Sequence, residues 1–192
     1  HLSIAFLIFI SMFWVGLGLV AERARETADA ALRKVQRIGF WLCLLVGYMV
    51  VTGGFVAGIR AGKAYNTFPL MNGHVVPPEI FMIDPWYLNF FNNMATTQFN
   101  HRLGAWLLAF IVPWLWFRLR ALPAVTMRAR NVATLLLVAL ACQISLGIAT
   151  LLLAVPVALG AAHQGGAMLV FGILLWLNHE LRVAPVACAG TR

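Results

Sequence analysis

Two stretches of this chain share a pattern that can hold a metal. His101-Arg-Leu-Gly-Ala-Trp-Leu and His163-Gln-Gly-Gly-Ala-Met-Leu both read H-x-x-G-A-x-L, and the match continues at the same offsets through Ile111 and Ile173, then Trp114-Leu115 and Trp176-Leu177. Self-similarity of this kind marks a duplicated structural unit. On a helix, residues three and four positions on share a face with the first. Gly104 and Ala105 therefore flank His101, and Gly166 and Ala167 flank His163. A flat macrocycle bound end-on to an imidazole needs small neighbours on that face. Haem iron takes axial histidines, and helix bundles build such sites from facing helices. The pair His101 and His163 thus reads as the two metal ligands of a six-coordinate haem, with the four small residues lining it. A single histidine near a membrane surface more often meets only headgroups, and a small-xxx-small pattern more often serves helix packing. The duplication is what favours ligation.

Other groups could serve the same site. Haem propionates call for cations or donors, and Arg60, Lys63 and Arg102 are the basic residues nearest the histidines. Gln98, Asn100 and Gln164 are placed to orient imidazoles. His74 and His179 lack the pattern and read as interfacial residues. His1 has Ala5 and Leu7 at the matching offsets but Ile4 in place of the glycine, so it reads as half of a second histidine pair. Carboxylates are scarce, with only Glu79 and Asp84 between residues 60 and 100. No nucleophile–base pair, phosphate loop or zinc motif is visible, and Cys43, Cys142 and Cys188 form no redox pair.

The elements that must position the histidines are membrane helices. The chain has 192 residues, 62% hydrophobic and only 10% charged, against about 25% charged in a soluble domain. Charges are absent from His1 to Ala21, from Ile38 to Ile59 and from Asn131 to His179. About 20 apolar residues cross a bilayer core. Five spans follow, over 1–20, 36–60, 100–118, 131–154 and 161–179, giving an all-α integral membrane fold whose last four helices form an antiparallel haem-binding bundle over 36–179. The net charge of +8 is concentrated in the basic loop 21–35, in 118–130 and in the tail 180–192. That distribution is a topology signal with affinity for anionic lipid, and it argues against nucleic acid. It puts those segments in the cytoplasm and His1, the 60–100 loop and the 156–162 turn outside. The outer loop carries Phe68, Phe81, Trp86, Tyr87, Phe90, Phe91 and Phe99, an interfacial aromatic belt in a loop long enough for a lid. The opening at His1, without Met or a charged leader, reads as a cut into a longer chain, with 1–20 the last helix of a preceding half.

The run Gly54-Phe-Val-Ala-Gly-Ile-Arg-Ala-Gly-Lys-Ala-Tyr-Asn-Thr-Phe-Pro-Leu-Met-Asn-Gly73 resembles the haem A synthase family, as do Gln98-Phe-Asn-His101-Arg102 and Ala162-His163-Gln164. The likeness covers nearly the whole chain and is to the C-terminal portion of that family. It implies oxidation of the C8 methyl of haem O to a formyl group, giving haem A for cytochrome oxidase. It also implies a b-type cofactor haem between His101 and His163, with His1 as a ligand of the substrate haem. The catalytic glutamate would lie in the preceding half. The resemblance further implies a bacterial inner membrane, exchange with a haem O synthase and an electron acceptor, and leaves room for a homo-oligomer. Lack of a cysteine pair in the outer loop fits the branch found in proteobacteria and mitochondria. Two other readings use the same residues differently. A non-enzymatic b-type cytochrome would pass electrons to or from quinone through the same histidines. A haem-free transporter would need more polar groups at mid-span than Gln143, Ser145 and Thr150.

Overall fold

Backbone N–H and C=O groups in a lipid core have no water to bond, so apolar spans close those bonds internally as helices. The computed structural model describes residues 2–20, 25–26 and 30–184 and follows that rule. Helix α1 is Leu2–Val20 and α2 is Ala30–Gly58. The one-turn helices α3 (Ala61–Ala64) and α4 (Asn89–Asn92) lie in the long segment expected to be the outer one. The chain continues with α5 (Met94–Ala121), α6 (Met127–Leu152) and α7 (Val157–Glu180). A two-residue strand β1 (Arg25–Glu26) pairs in parallel with β2 (Val183–Ala184), tying the two ends of the bundle chain together. Helices α1, α2, α5, α6 and α7 are each long and apolar enough to cross a membrane, which makes this a multi-pass membrane protein. His1, most of 21–29 and 185–192, Cys188 included, lie outside the described residues.

All five expected spans are present, and each bundle helix starts earlier than expected. Helix α2 begins at Ala30, inside the stretch read as a basic loop. Its first turns, Ala30-Ala-Leu-Arg-Lys-Val, are good helix formers and turn Leu32 and Val35 into the core. Helix α5 begins at Met94 because Asn93 caps it, its side chain accepting the Thr96 N–H at 3.1 Å. Thr126 caps α6 in the same way through the Ala129 N–H, also at 3.1 Å.

Helices α2, α5, α6 and α7 form a ring, each touching the next and α7 closing on α2. The histidine-bearing helices α5 and α7 therefore stand diagonally across the bundle. Helix α1 leans on the outside of α7, with Phe6 edge-on to Phe171 at 4.8 Å between centroids and Phe9 and Phe13 beside Gly172.

The duplication seen in α5 and α7 extends to their partners. Val35, Gly39, Leu42 and Val46 of α2 are buried, and so are Ala129, Ala133, Leu136 and Leu140 at the matching positions of α6. Leu108, Val112, Leu115 and Leu119 of α5 correspond in the same way to Val170, Leu174, Leu177 and Leu181. The bundle is two copies of a helix pair, α2–α5 and α6–α7, related by an approximate twofold. In lipid no hydrophobic drive holds helices together, so close packing and interhelical hydrogen bonds do that work. One such bond lies at the end away from the histidines, where the Asn178 amide donates to Gly39 O on α2 at 3.1 Å. Beside it stands His179, which its place in the sequence suggests to be interfacial. It is buried, because α1 lays Trp14 across it at 5.4 Å between centroids.

Candidate functional site

His101 and His163 sit about two turns inside α5 and α7, rather than at the helix starts. The two helices run in the same direction and are copies, so the imidazoles lie at equivalent depth.

Each ring is seated on the neighbouring helix over a glycine. A Cβ at Gly53 of α2 would stand 3.1 Å from Cε1 of His101, and a Cβ at Gly147 of α6 would stand 2.7 Å from Cε1 of His163. Gly53 and Gly147 are equivalent positions in the duplication. Side chains hold the rings as well. Thr52 Oγ1 lies 3.0 Å from His101 Nδ1 and donates its own proton to Met49 O at 3.2 Å. A hydroxyl has one proton to give, so toward the ring it accepts. Gln143 Nε2 stands 3.2 Å from His163 Nδ1 and donates to the His163 backbone carbonyl at 2.8 Å. At His101 the hydroxyl thus accepts from the Nδ1 proton and leaves Nε2 free to ligate, and at His163 Nε2 ligates once the proton stands on Nδ1.

Several residues singled out by spacing turn out to do other work. Gly104 makes room for the Met49 side chain and Gly166 for the Gln143 side chain. They let each helix pair close, while the residues cleared beneath the rings are Gly53 and Gly147. Ala105 and Ala167 are half-buried on their helices. Gln164 is exposed, and the glutamine that reaches His163 is Gln143 from α6. Gln98 donates to Tyr65 O at 3.0 Å and so grips the outer segment rather than an imidazole. Arg102 also holds that segment. Its guanidinium donates to the carbonyls of Tyr65, Thr67, Pro69 and Leu70, with Thr67 O at 2.7 Å. The two terminal nitrogens are met by loop carbonyls, which spacing alone does not reveal. Arg60 and Lys63 remain exposed on either side of the start of α3, and Asn100 is half-buried. His74 is exposed, its backbone bridged to Met71.

The outer segment is ordered by a buried asparagine that spacing gave no hint of. Asn89 is fully buried. Its Oδ1 accepts from Ile83 N at 2.9 Å and its Nδ2 donates to Ile83 O and Trp86 O. Tyr65 donates to Glu79 at 3.1 Å, and partial burial together with that carboxylate pushes the phenol above its ordinary pKa.

What can this arrangement bind? Among the described residues no group of three or more His, Cys, Asp or Glu could hold a bare metal ion. Two imidazoles on diagonal helices at one depth suit a metal whose other ligands come from a planar macrocycle. The residues present fit a haem.

Residues 1–175 match the model of a family described as cytochrome oxidase assembly protein. The chain belongs to that family. It is 57% identical over 182 residues to the haem A synthase of Nitrosospira multiformis, covering 95% of this chain and 51% of that protein. It is 47% identical to the haem A synthase of Nitrosomonas eutropha, covering 94% and 51%. It is 40% identical to the haem A synthase of Arabidopsis thaliana, covering 95% and 40%. The chain thus spans about half the length of the curated relatives it matches. No solved structure matches it significantly.

Proposed function

We propose that the bundle of this haem A synthase relative holds a b-type haem between His101 and His163, as part of a protein that oxidises the C8 methyl of haem O to a formyl group. The observation that carries the reading is the paired seating of the two imidazoles, each over a glycine and each held through Nδ1. The bound haem would supply electron transfer. The chain's own residues supply the axial ligands, fix their planes and surround the site with apolar helix. Arg60 and Lys63, exposed at the histidine end, are the cations free to meet propionates there. Arg102 would act one step removed, by holding the outer segment over that end. His1 is assigned as a ligand of the substrate haem. The basic end and the tail face the cytoplasm in a bacterial inner membrane, with a haem O synthase as donor and a separate electron acceptor.

The test is conversion of haem in cells. A host that makes haem O and lacks its own haem A synthase would receive the complete gene, and extracted haems would be separated by chromatography. Haem A should appear with the wild-type gene and vanish with His101→Ala or His163→Ala. Haem O left unconverted by an abundant, membrane-inserted wild-type protein would overturn the enzymatic reading. Full conversion by both variants would overturn the role of this haem.

A further inference from the structure

The two halves of the bundle are copies, yet each histidine has a different side chain behind it. Met49 matches Gln143, and Thr52 matches Leu146. In the α2–α5 half the polar contact comes from Thr52, 3.0 Å from Nδ1, while Met49 is apolar. In the α6–α7 half it comes from Gln143, 3.2 Å from Nδ1, while Leu146 is apolar. Neither contact is shared by the two halves. Each half has a single side-chain contact at its imidazole from a different position, one turn apart on the helix that carries the glycine seat. Two unlike solutions to one geometric need argue that the need is real.

Resting on the haem reading above, we propose that Thr52 and Gln143 are the positioning residues of the two axial ligands, and that they make those ligands inequivalent. Thr52 is buried, and it bonds only the edge of its ring while anchored to its own helix. Gln143 meets its histidine at two points, donating to the backbone carbonyl at 2.8 Å and lying 3.2 Å from Nδ1, so it packs the ring and the helix turn together. Residues that orient a metal-bound histidine set its plane and basicity, and their loss typically costs 10–100-fold in affinity. His163 is therefore the rigid ligand and His101 the one that can rotate.

The test compares the purified chain with Thr52→Val, Thr52→Ser and Gln143→Met, by haem titration and by low-spin electron paramagnetic resonance, with circular dichroism as a check of folding. Both Thr52→Val and Gln143→Met keep the ligands and nearly the shape. Each should bind haem about 10–100-fold more weakly and shift the low-spin g values, the two shifts differing from one another. Thr52→Ser keeps the hydroxyl and should stay near wild type. Gln143→Leu replaces Gln143→Met if the latter loses helix content. Wild-type affinity and unchanged g values in both variants, or a Thr52→Ser protein as impaired as Thr52→Val, would overturn the assignment while leaving the bis-histidine site standing. A wild-type chain with no low-spin haem would remove the site itself and the assignment with it.

Discussion

The α2–α5 and α6–α7 halves bury matching residues and present matching histidines, and they differ in what closes them. A short turn over 153–156 joins α6 to α7, with Ala154 and Val155 both at positive φ. The α2–α5 half is closed by the whole outer segment, stapled by Arg102, Gln98 and Asn89. The comparison teaches that the repeat fixes where the imidazoles stand, while the added segment makes the two ends close differently. It also separates two uses of glycine. Gly53 and Gly147 seat rings, and Gly104 and Gly166 admit a neighbour's side chain.

The glycines give the sharpest way to break the comparison. Gly147→Ala would place a methyl 2.7 Å from the His163 ring, a distance that forces the ring to move. Haem affinity should fall by roughly tenfold or more, within the range that lost ligand orientation causes. Gly53→Ala, at 3.1 Å from the other ring, should have a smaller effect, read in the same titration. Equal effects would mean that the two seats are not used differently. Gly104→Ala meets the flexible Met49 side chain and should leave the haem spectrum unchanged.

Next in size is Arg102→Leu. It removes a charged donor from four loop carbonyls, and hydrogen bonds to charged groups contribute about 1.5–3 kcal/mol. The segment over 65–72 should open by about 2 kcal/mol, seen as faster amide exchange and faster proteolysis there, with α6–α7 unaffected. Exchange spread evenly through both halves would show that Arg102 stabilises the bundle rather than the cover.

A smaller effect is expected at the other end. Asn178→Leu removes the amide bridge from α7 to Gly39, and interhelical hydrogen bonds in membranes average about 0.6 kcal/mol. A loss of about 0.6 kcal/mol in a detergent unfolding series, without change in the haem spectrum, would show that this end is structural.

The smallest effect concerns pH. The Tyr65 phenol is raised by partial burial and by Glu79. Its neutral form is thus favoured in the folded state, so its small contribution is complete below the unfolded value near 10 and fades as pH rises through the folded pKa. Ultraviolet titration should find one tyrosine ionising late, and Glu79→Gln should bring it back toward the ordinary value.

The spans and the histidine pair were legible in the sequence because lipid imposes runs of apolar residues and because the repeat preserved H-x-x-G-A-x-L. Helix starts were not, since the caps at Asn93 and Thr126 extend the helices into stretches that hydropathy reads as loop. The glycine seats were missed for a related reason. Gly53 and Gly147 lie on α2 and α6, whose likeness survives in buried positions rather than in a contiguous motif, and aligning those two helices would have exposed it. Gln143 stood out only as a mid-span polar residue, although it and not the sequence neighbour Gln164 contacts His163 in space. Arg102 bonds to backbone carbonyls, which no pattern of residue types announces.

The most direct test of the central claim is the reduced-minus-oxidised visible spectrum of the detergent-purified chain, recorded beside His101→Ala and His163→Ala. A sharp low-spin b-type signal in the wild type, lost in each variant while helix content is retained, is the result this account predicts. A low-spin signal that survives either substitution, or a well-folded wild-type chain that takes up no haem, would contradict it.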